Sequence, residues 1–355
     1  MFSVKVVDCH YEGKPELAAS YIISTPVTTA IVETGTAVNT DIILAALDEA
    51  GIQKDAVSLI AVTHVHLDHA GAAGALARQL PNAKVLCHPH GTRHLADPTA
   101  LIKGATAVHG EERMRLFYGT TLPVPKEQLV ATENGHCYPL GPSVSLQVHH
   151  SPGHAPHHQF LSLHAPLPGG DTPVCVGVFT GDGFAASYSF MRRPESARCP
   201  WPNVPAGRPT ASLMVHAIPP QFDPVAWHGS LDLLAGLQPH LIFFTHYGPA
   251  PFTHEMIQAA HRMVRTHVFR CPIAFILLRA RAQDDYVALV AAPSAAELPS
   301  IASLTTEVTA LVRAQQQIAA TVPDDFSDRL QVDANLCAHG ITMWRQKQLS
   351  PPKKQ

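Results

Sequence analysis

The sequence predicts a layered α/β fold, on three observations. Short β-type runs alternate with helical patterns through the first half of the chain. The runs are apolar and carry turn residues at their ends, as strands with packed faces do. The stretches between them place apolar residues three and four apart, the spacing of one helix face.

The elements follow in order. "SYIIST" (20–25) and "TTAIVET" (28–34) read as a strand pair. "NTDIILAALDEAG" (39–51) has a polar N-cap candidate, a helical apolar stripe and a terminal glycine. "AVSLIAVT" (56–63) reads as a buried strand, "HAGAAGALARQL" (69–80) as a small-residue helix and "AKVLCHP" (83–89) as another strand. Residues 98–118 carry a helical pattern. The β-type runs "QLVAT", "SVSLQVHH", "HQFLSLHA" and "PVCVGVFTG" come next. Residues 187–220 are rich in proline and arginine and read as irregular, a length of loop that is often functional. A helix at 223–237 and a strand at 240–246 follow, and from Thr253 onward the pattern is mainly helical. The division expected is a catalytic domain at 1–270 and a mainly helical extension at 271–355 that packs on it.

Bulk composition narrows the function. Of 355 residues, 46% are hydrophobic and 15% charged, so the chain is globular with a sparsely charged surface. Net charge is −3 and lysine plus arginine total 25, with a basic run only in the terminal "PPKK". A protein that grips phosphate backbones shows a basic face, so no nucleic-acid partner is expected. The eight-residue run "CPIAFILL" is too short to span a bilayer, so no membrane partner is expected. Seven scattered cysteines without a CxxC pair, and no signal-peptide pattern at the start, point to reduced thiols and a cytoplasmic location. A small-molecule substrate is the partner expected.

The 23 histidines make chance clusters probable on numbers alone, so a metal argument must rest on spacing and context. Four segments provide it. His64, His66, Asp68 and His69 in "THVHLDHAG", His154 in "SPGH", Asp182 in "FTGD" and His246 in "THYGP" all sit at or just past an apolar strand-like run. Loops at strand ends are where α/β folds converge on a site. Imidazole and carboxylate suit zinc, and also iron or manganese. Seven ligands exceed one tetrahedral ion but suffice for two if a carboxylate bridges them. Each residue also has an ordinary reading: Asp68 as a helix N-cap, Asp182 as a turn residue, His154 and His246 as polar loop residues. Capping explains an aspartate but not three histidines beside it.

These four motifs, in this order, resemble the metallo-β-lactamase superfamily across residues 20–250. "GATAVHGEERMRLFYGTTLPVP" and "VDANLCAHGITMW" look like the bacterial-type MBL-fold metallo-hydrolases. The resemblance implies a four-layer αββα sandwich with a helical C-terminal extension. It implies two divalent metal ions, zinc foremost, with His64, His66 and His154 on the first, Asp68, His69 and His246 on the second, and Asp182 between them. It also implies metal-assisted hydrolysis, with Asp68 orienting the attacking hydroxide. Tyr188 is the phenol expected to donate to the substrate; Tyr247 reads rather as packing.

Two departures stand out. The family's "VDTG" turn is here "VETG", which puts Glu33 where the family has aspartate. "SPGH" runs into "APHH", so His157 and His158 stand near the site as extra ligands, proton shuttles or loop residues. Arg192, Arg193 and Arg198 lie after Asp182, where they could meet an anionic substrate. Among the family's activities, the aspartate at Asp182 argues against a true β-lactamase, and the charge against a nuclease or phosphodiesterase. Ester, thioester and lactone hydrolysis fit best. A mononuclear iron dioxygenase acting on persulfides would use His64, His154 and Asp182. A scaffold with an eroded site is disfavoured by seven intact ligands.

Overall fold

The computed structural model describes residues 2–192, 197–210, 213–216 and 221–269. The expected C-terminal extension, and Arg193, lie outside these residues.

The chain opens with β1 (Ser3–Asp8), β2 (Ala19–Ser24), β3 (Thr29–Val32), α1 (Thr40–Glu49) and β4 (Val57–Ala61). It continues through α2 (Leu67–Ala70), α3 (Ala73–Gln79), β5 (Lys84–Cys87), α4 (Pro89–Ala96), α5 (Thr99–His109), α6 (Glu111–Arg113) and a π turn at Met114–Tyr118. Then come β6 (Leu129–Ala131), β7 (Cys137–Gly141), β8 (Val144–His150), β9 (Gln159–Pro166) and β10 (Pro173–Phe179). The second half closes with α7 (Pro224–Leu237), β11 (Leu241–Phe244), β12 (Gly248–Pro251) and α8 (His254–Phe269).

The strands form two six-stranded sheets, β1-β2-β3-β4-β5-β6 and β12-β11-β10-β9-β8-β7. Alternation along each strand sorts side chains into layers, because successive residues point to opposite faces. Tyr21, Ile23, Ala30 and Val32 face inward and meet Leu161, Leu163, Phe179 and Phe243 of the other sheet. The intervening Ile22, Ile31 and Ile60 face outward, against Ile43 and Leu47 of α1 and Leu76 of α3. On the opposite side Phe160, Val178, Ile242 and Phe244 pack on Trp227 and Leu231 of α7 and on Met256 and Ala260 of α8. The order is helix, sheet, sheet, helix, the four-layer sandwich expected. Among the described residues no helix is long and apolar enough to cross a membrane.

Two local readings change. The single helix expected at 69–80 is two, α2 and α3, which break at Gly71. A Cβ there would lie 2.3 Å from the Leu67 carbonyl and 2.9 Å from Thr36 Cα, so the backbone of another segment passes against it. The described residues of 187–220 are irregular as expected, apart from a short turn of helix at Ser189–Met191.

A polar chain crosses the second sheet. His149 Nε2 and His164 Nε2 each lie 2.8 Å from the Ser162 hydroxyl. Burial, and then the neighbouring His164, push His149 down to about 4; burial also lowers His164. Above pH ~6.5 both rings are neutral folded or unfolded and cost nothing. Below it the unfolded chain takes up protons that the folded chain refuses until about pH 4, so stability falls as the pH falls through that window. His149→Gln keeps an amide near Ser162 but cannot titrate. Its urea midpoint should drop less between pH 7 and pH 5 than that of the unsubstituted protein; an equal drop would remove His149 from this account.

Candidate metal centre

Topology brings the predicted segments together. β3 and β4 run parallel, as do β10 and β11, and β8 reaches β10 through two antiparallel pairings. All five strands therefore end toward one rim. Glu33 follows β3, the histidine motif follows β4, His154 follows β8, Asp182 follows β10 and His246 follows β11. Crevices at carboxyl ends of strands are the usual ligand sites of layered α/β folds.

All seven predicted ligands converge there. His64, His66 and His154 form one cluster of ligand atoms, Asp68, His69 and His246 a second. In the first, His66 Nδ1 lies 2.9 Å from His64 Nε2 and 3.0 Å from His154 Nε2. In the second, Asp68 Oδ2 lies 3.7 Å from His69 Nε2 and 3.5 Å from His246 Nε2. Asp182 stands between them. Its Oδ1 is 3.5 Å from His69 Nε2 and 3.6 Å from His246 Nε2, and its Oδ2 is 3.6 Å from His154 Nε2.

The spacings of the second cluster and of Asp182 fit cations. Contacts of 3.5–3.7 Å are long for hydrogen bonds. Ligands at roughly 2.0–2.2 Å around one tetrahedral ion stand about 3.3–3.6 Å apart. His69 Nε2, His246 Nε2 and Asp182 Oδ1 are buried and have no hydrogen-bond partner among the described residues. Buried polar atoms in native proteins are rarely left so. The donor set is imidazole and carboxylate, with no cysteine in either cluster, which suits zinc, iron or manganese.

The outward nitrogens of His64, His69, His154 and His246 are engaged, which fixes the orientation of those rings. His64 Nδ1 meets the Thr63 hydroxyl at 3.1 Å. His154 Nδ1 donates to the His216 carbonyl at 2.8 Å and His246 Nδ1 to the Leu17 carbonyl at 2.7 Å. His69 Nδ1 pairs with Glu33 Oε2. The longer glutamate thus reaches where the family's aspartate was expected to act, and it does so from a left-handed backbone position, φ +64°. The same carboxylate accepts from the Thr63 amide at 2.7 Å and from the Thr245 hydroxyl at 3.0 Å.

Electrostatics favour the ligand forms of these groups. Burial and then neighbouring imidazoles lower His64, and burial with His154 lowers His66 to about 3. Burial alone would raise Asp68 and Asp182, but the surrounding imidazoles outweigh it and hold both carboxyls well below their ordinary range. His69 is the exception. Burial opposes its charge, yet Glu33, Asp182 and Asp68 surround it and raise it well above its ordinary value. Three carboxylates around one point make a strong field for a cation.

Glycines and two further histidines hold the loops. A Cβ on Gly153 would sit 2.4 Å from Trp227 Cα, so "SPGH" needs glycine to lie against α7. His158 is fully buried. Its Nδ1 meets the Ser151 hydroxyl at 2.9 Å and its Nε2 accepts from the Gly183 amide at 3.0 Å. It is therefore a brace between the His154 and Asp182 loops, with no nitrogen left for a ligand role. His157 lies behind His66, ring centroids 5.6 Å apart, and burial lowers it to about 3.

Other expectations need correction or placement. Asp68 is not an N-cap: α2 starts after His66 and has no side-chain cap. Arg192 does not face a substrate; its guanidinium donates to the carbonyls of Ser187, Arg208, Gly248 and Pro249. Arg198 is exposed. Tyr188 is buried, its ring 6.1 Å from His246, in an apolar cluster with Tyr11, Leu67, Met114, Tyr118, Met191 and Met214. Tyr247 packs on the core between the sheets, as expected. Sequence reasoning missed His216, whose Nδ1 lies 3.1 Å from Asp182 Oδ2.

Comparison with known proteins agrees with this picture. Residues 13–166 match the family model of the metallo-beta-lactamase superfamily. An archaeal metallo-beta-lactamase superfamily protein from Sulfolobus tokodaii is similar in structure, with TM-score 0.54 and 17% identity over 89% of this chain and 98% of that one. A B3 metallo-beta-lactamase with an active-site glutamic acid gives TM-score 0.50 and 18% identity over 78% and 90%. At such identities the likeness concerns the fold. A search of curated proteins gave no match.

Glu33→Gln should weaken metal binding about 10–100-fold, the usual effect of losing a carboxylate behind a ligating histidine. Equilibrium dialysis against zinc would read it. Wild-type affinity in the variant would mean that Glu33 only packs.

Proposed function

We propose that this chain, whose residues 13–166 form a domain of the metallo-β-lactamase superfamily, is a hydrolase of esters, thioesters or lactones working at a two-cation centre. One observation carries this reading: two separate trios of ligand atoms, with one oxygen of Asp182 turned to each. A single-iron dioxygenase needs only His64, His154 and Asp182, and leaves the trio of Asp68, His69 and His246 without purpose.

Zinc ions bound there would supply a water ionised near neutral pH and would polarise the substrate oxygen. The remaining roles belong to the chain. His64, His66 and His154 would hold one ion and Asp68, His69 and His246 the other, with Asp182 presenting one carboxylate oxygen toward each trio. Asp68 is the catalytic carboxylate: its side chain is 18% exposed where the other carboxylate and most of the imidazoles are sealed, so it faces the mouth. Ionised, it accepts a hydrogen bond from the attacking hydroxide and aims it. Tyr188 packs beside the ring of His246 and is sealed in its apolar cluster, so it presents no phenol to a substrate. With Arg192 committed to backbone carbonyls, its guanidinium is not free to meet a phosphodiester.

Plasma mass spectrometry on protein purified without added metal should find about two zinc ions per chain. Chelation should abolish hydrolysis in an ester, thioester and lactone panel, and zinc should restore it. Asp68→Asn should lower kcat by about 10²–10⁴; Tyr188→Phe should leave kcat and metal content close to those of the unsubstituted protein. One iron per chain with persulfide-dependent oxygen uptake, or turnover confined to phosphodiesters, would overturn the reading.

A further inference from the structure

The ligand sphere contains one imidazole that the motifs do not account for. His216 lies 2% exposed in segment 213–216. That segment is stitched to the loop after Asp182. The Ala186 amide donates to the Met214 carbonyl at 2.7 Å, and the Met214 amide returns a bond at 2.9 Å. His216 then touches both halves of the centre. Its carbonyl accepts from His154 Nδ1 at 2.8 Å, and its own Nδ1 lies 3.1 Å from Asp182 Oδ2.

His216 lies within ligand reach of Asp182 and His246, but it stands closer to Asp182 than the other imidazoles facing that carboxylate do. The imidazoles of His69, His154 and His246 stand 3.5–3.6 Å from the Asp182 oxygens, the separation of atoms that share an ion. His216 stands 3.1 Å away, the separation of a donor from its acceptor. Asp182 Oδ2 is also the oxygen turned toward His154. A carboxylate can rotate about its Cβ–Cγ bond, and bridging requires one particular rotation.

We propose that His216 is the positioning residue of the bridge: its Nδ1–H donates to Asp182 Oδ2 and holds the carboxylate across the two half-sites, while its carbonyl aims His154. This rests on the two-cation reading above. Losing the side chain frees the bridge, so the two ions are no longer held equivalently. The backbone bond to His154 persists in any variant that folds.

The test compares zinc and cobalt(II) binding to the metal-free full-length chain by titration calorimetry and visible absorption. The unsubstituted protein should take up two ions. H216A should lose about 10–100-fold in affinity for one of them and change the cobalt bands. H216N places its amide nitrogen where Nδ1 stood and should restore both readouts. H216Q places it one bond further and should not; this pair keeps the test decisive if H216A fails to fold. Wild-type binding in H216A, or equal behaviour of H216N and H216Q, would overturn the positioning role. A loss in H216N as deep as in H216A would make His216 a ligand instead. Fewer than two ions on the unsubstituted chain would remove the two-cation reading, and this inference with it.

Discussion

The carboxylate of Glu33 is the node on which the site depends. It leaves the end of β3 and takes the Thr63 amide just past β4, the Thr245 hydroxyl just past β11 and the ring of His69. One buried anion therefore joins the two sheets at the rim where every ligand loop begins. The cost is real: a bare carboxylate in this interior is strongly disfavoured, and a non-glycine residue at φ +64° adds about 1–2 kcal/mol. Three donors offset both and over-determine the geometry. Strain persists where surrounding structure enforces it, and such places are commonly functional sites.

A second constraint is neutrality. Five imidazoles must stand together without charge if they are to act as ligands. For His64, His66 and His154 burial supplies this, because it penalises the protonated form. It is reinforced where a ring's outer nitrogen has a defined partner, as in His64, His154 and His246. The same logic extends to His158, whose two bonds to Ser151 and Gly183 make it structural. Histidine abundance in this chain therefore has two sources near the site, ligands and braces, and they are told apart by where each nitrogen points.

Much of this was legible in the sequence, and the gaps have physical causes. Central strands announced themselves by apolar runs, since both their faces are packed. Those that escaped, β1, β7 and β12, are all sheet edges. An edge strand pairs on one side only, and β12, "GPAP", carries the prolines that edges tolerate and central strands do not. All seven candidate ligands were legible because each follows a central strand directly. His216 was not, because nothing local marks it. Its place depends on the pairing of Met214 with Ala186, a long-range contact inside a proline-rich stretch with no periodicity to read.

The layers also explain why the centre should matter to the fold as well as to chemistry. His64 and His66 come from the first sheet, Asp182 and His246 from the second. His154 is held by the outer helix: α7 presses Trp227 against Gly153, the Asp223 amide bonds the Gly153 carbonyl at 2.7 Å, and the Ser230 hydroxyl bonds the Pro152 carbonyl at 2.7 Å. No single layer owns a complete half-site. The unfolded chain cannot assemble this set, so cations that bind it bind the folded form alone. Mass action then stabilises the fold by about 4 kcal/mol at a free concentration one thousand times the dissociation constant. Metal affinity and the cohesion of the sandwich are in this way one quantity, and a substitution that loosens the Glu33 node reduces both.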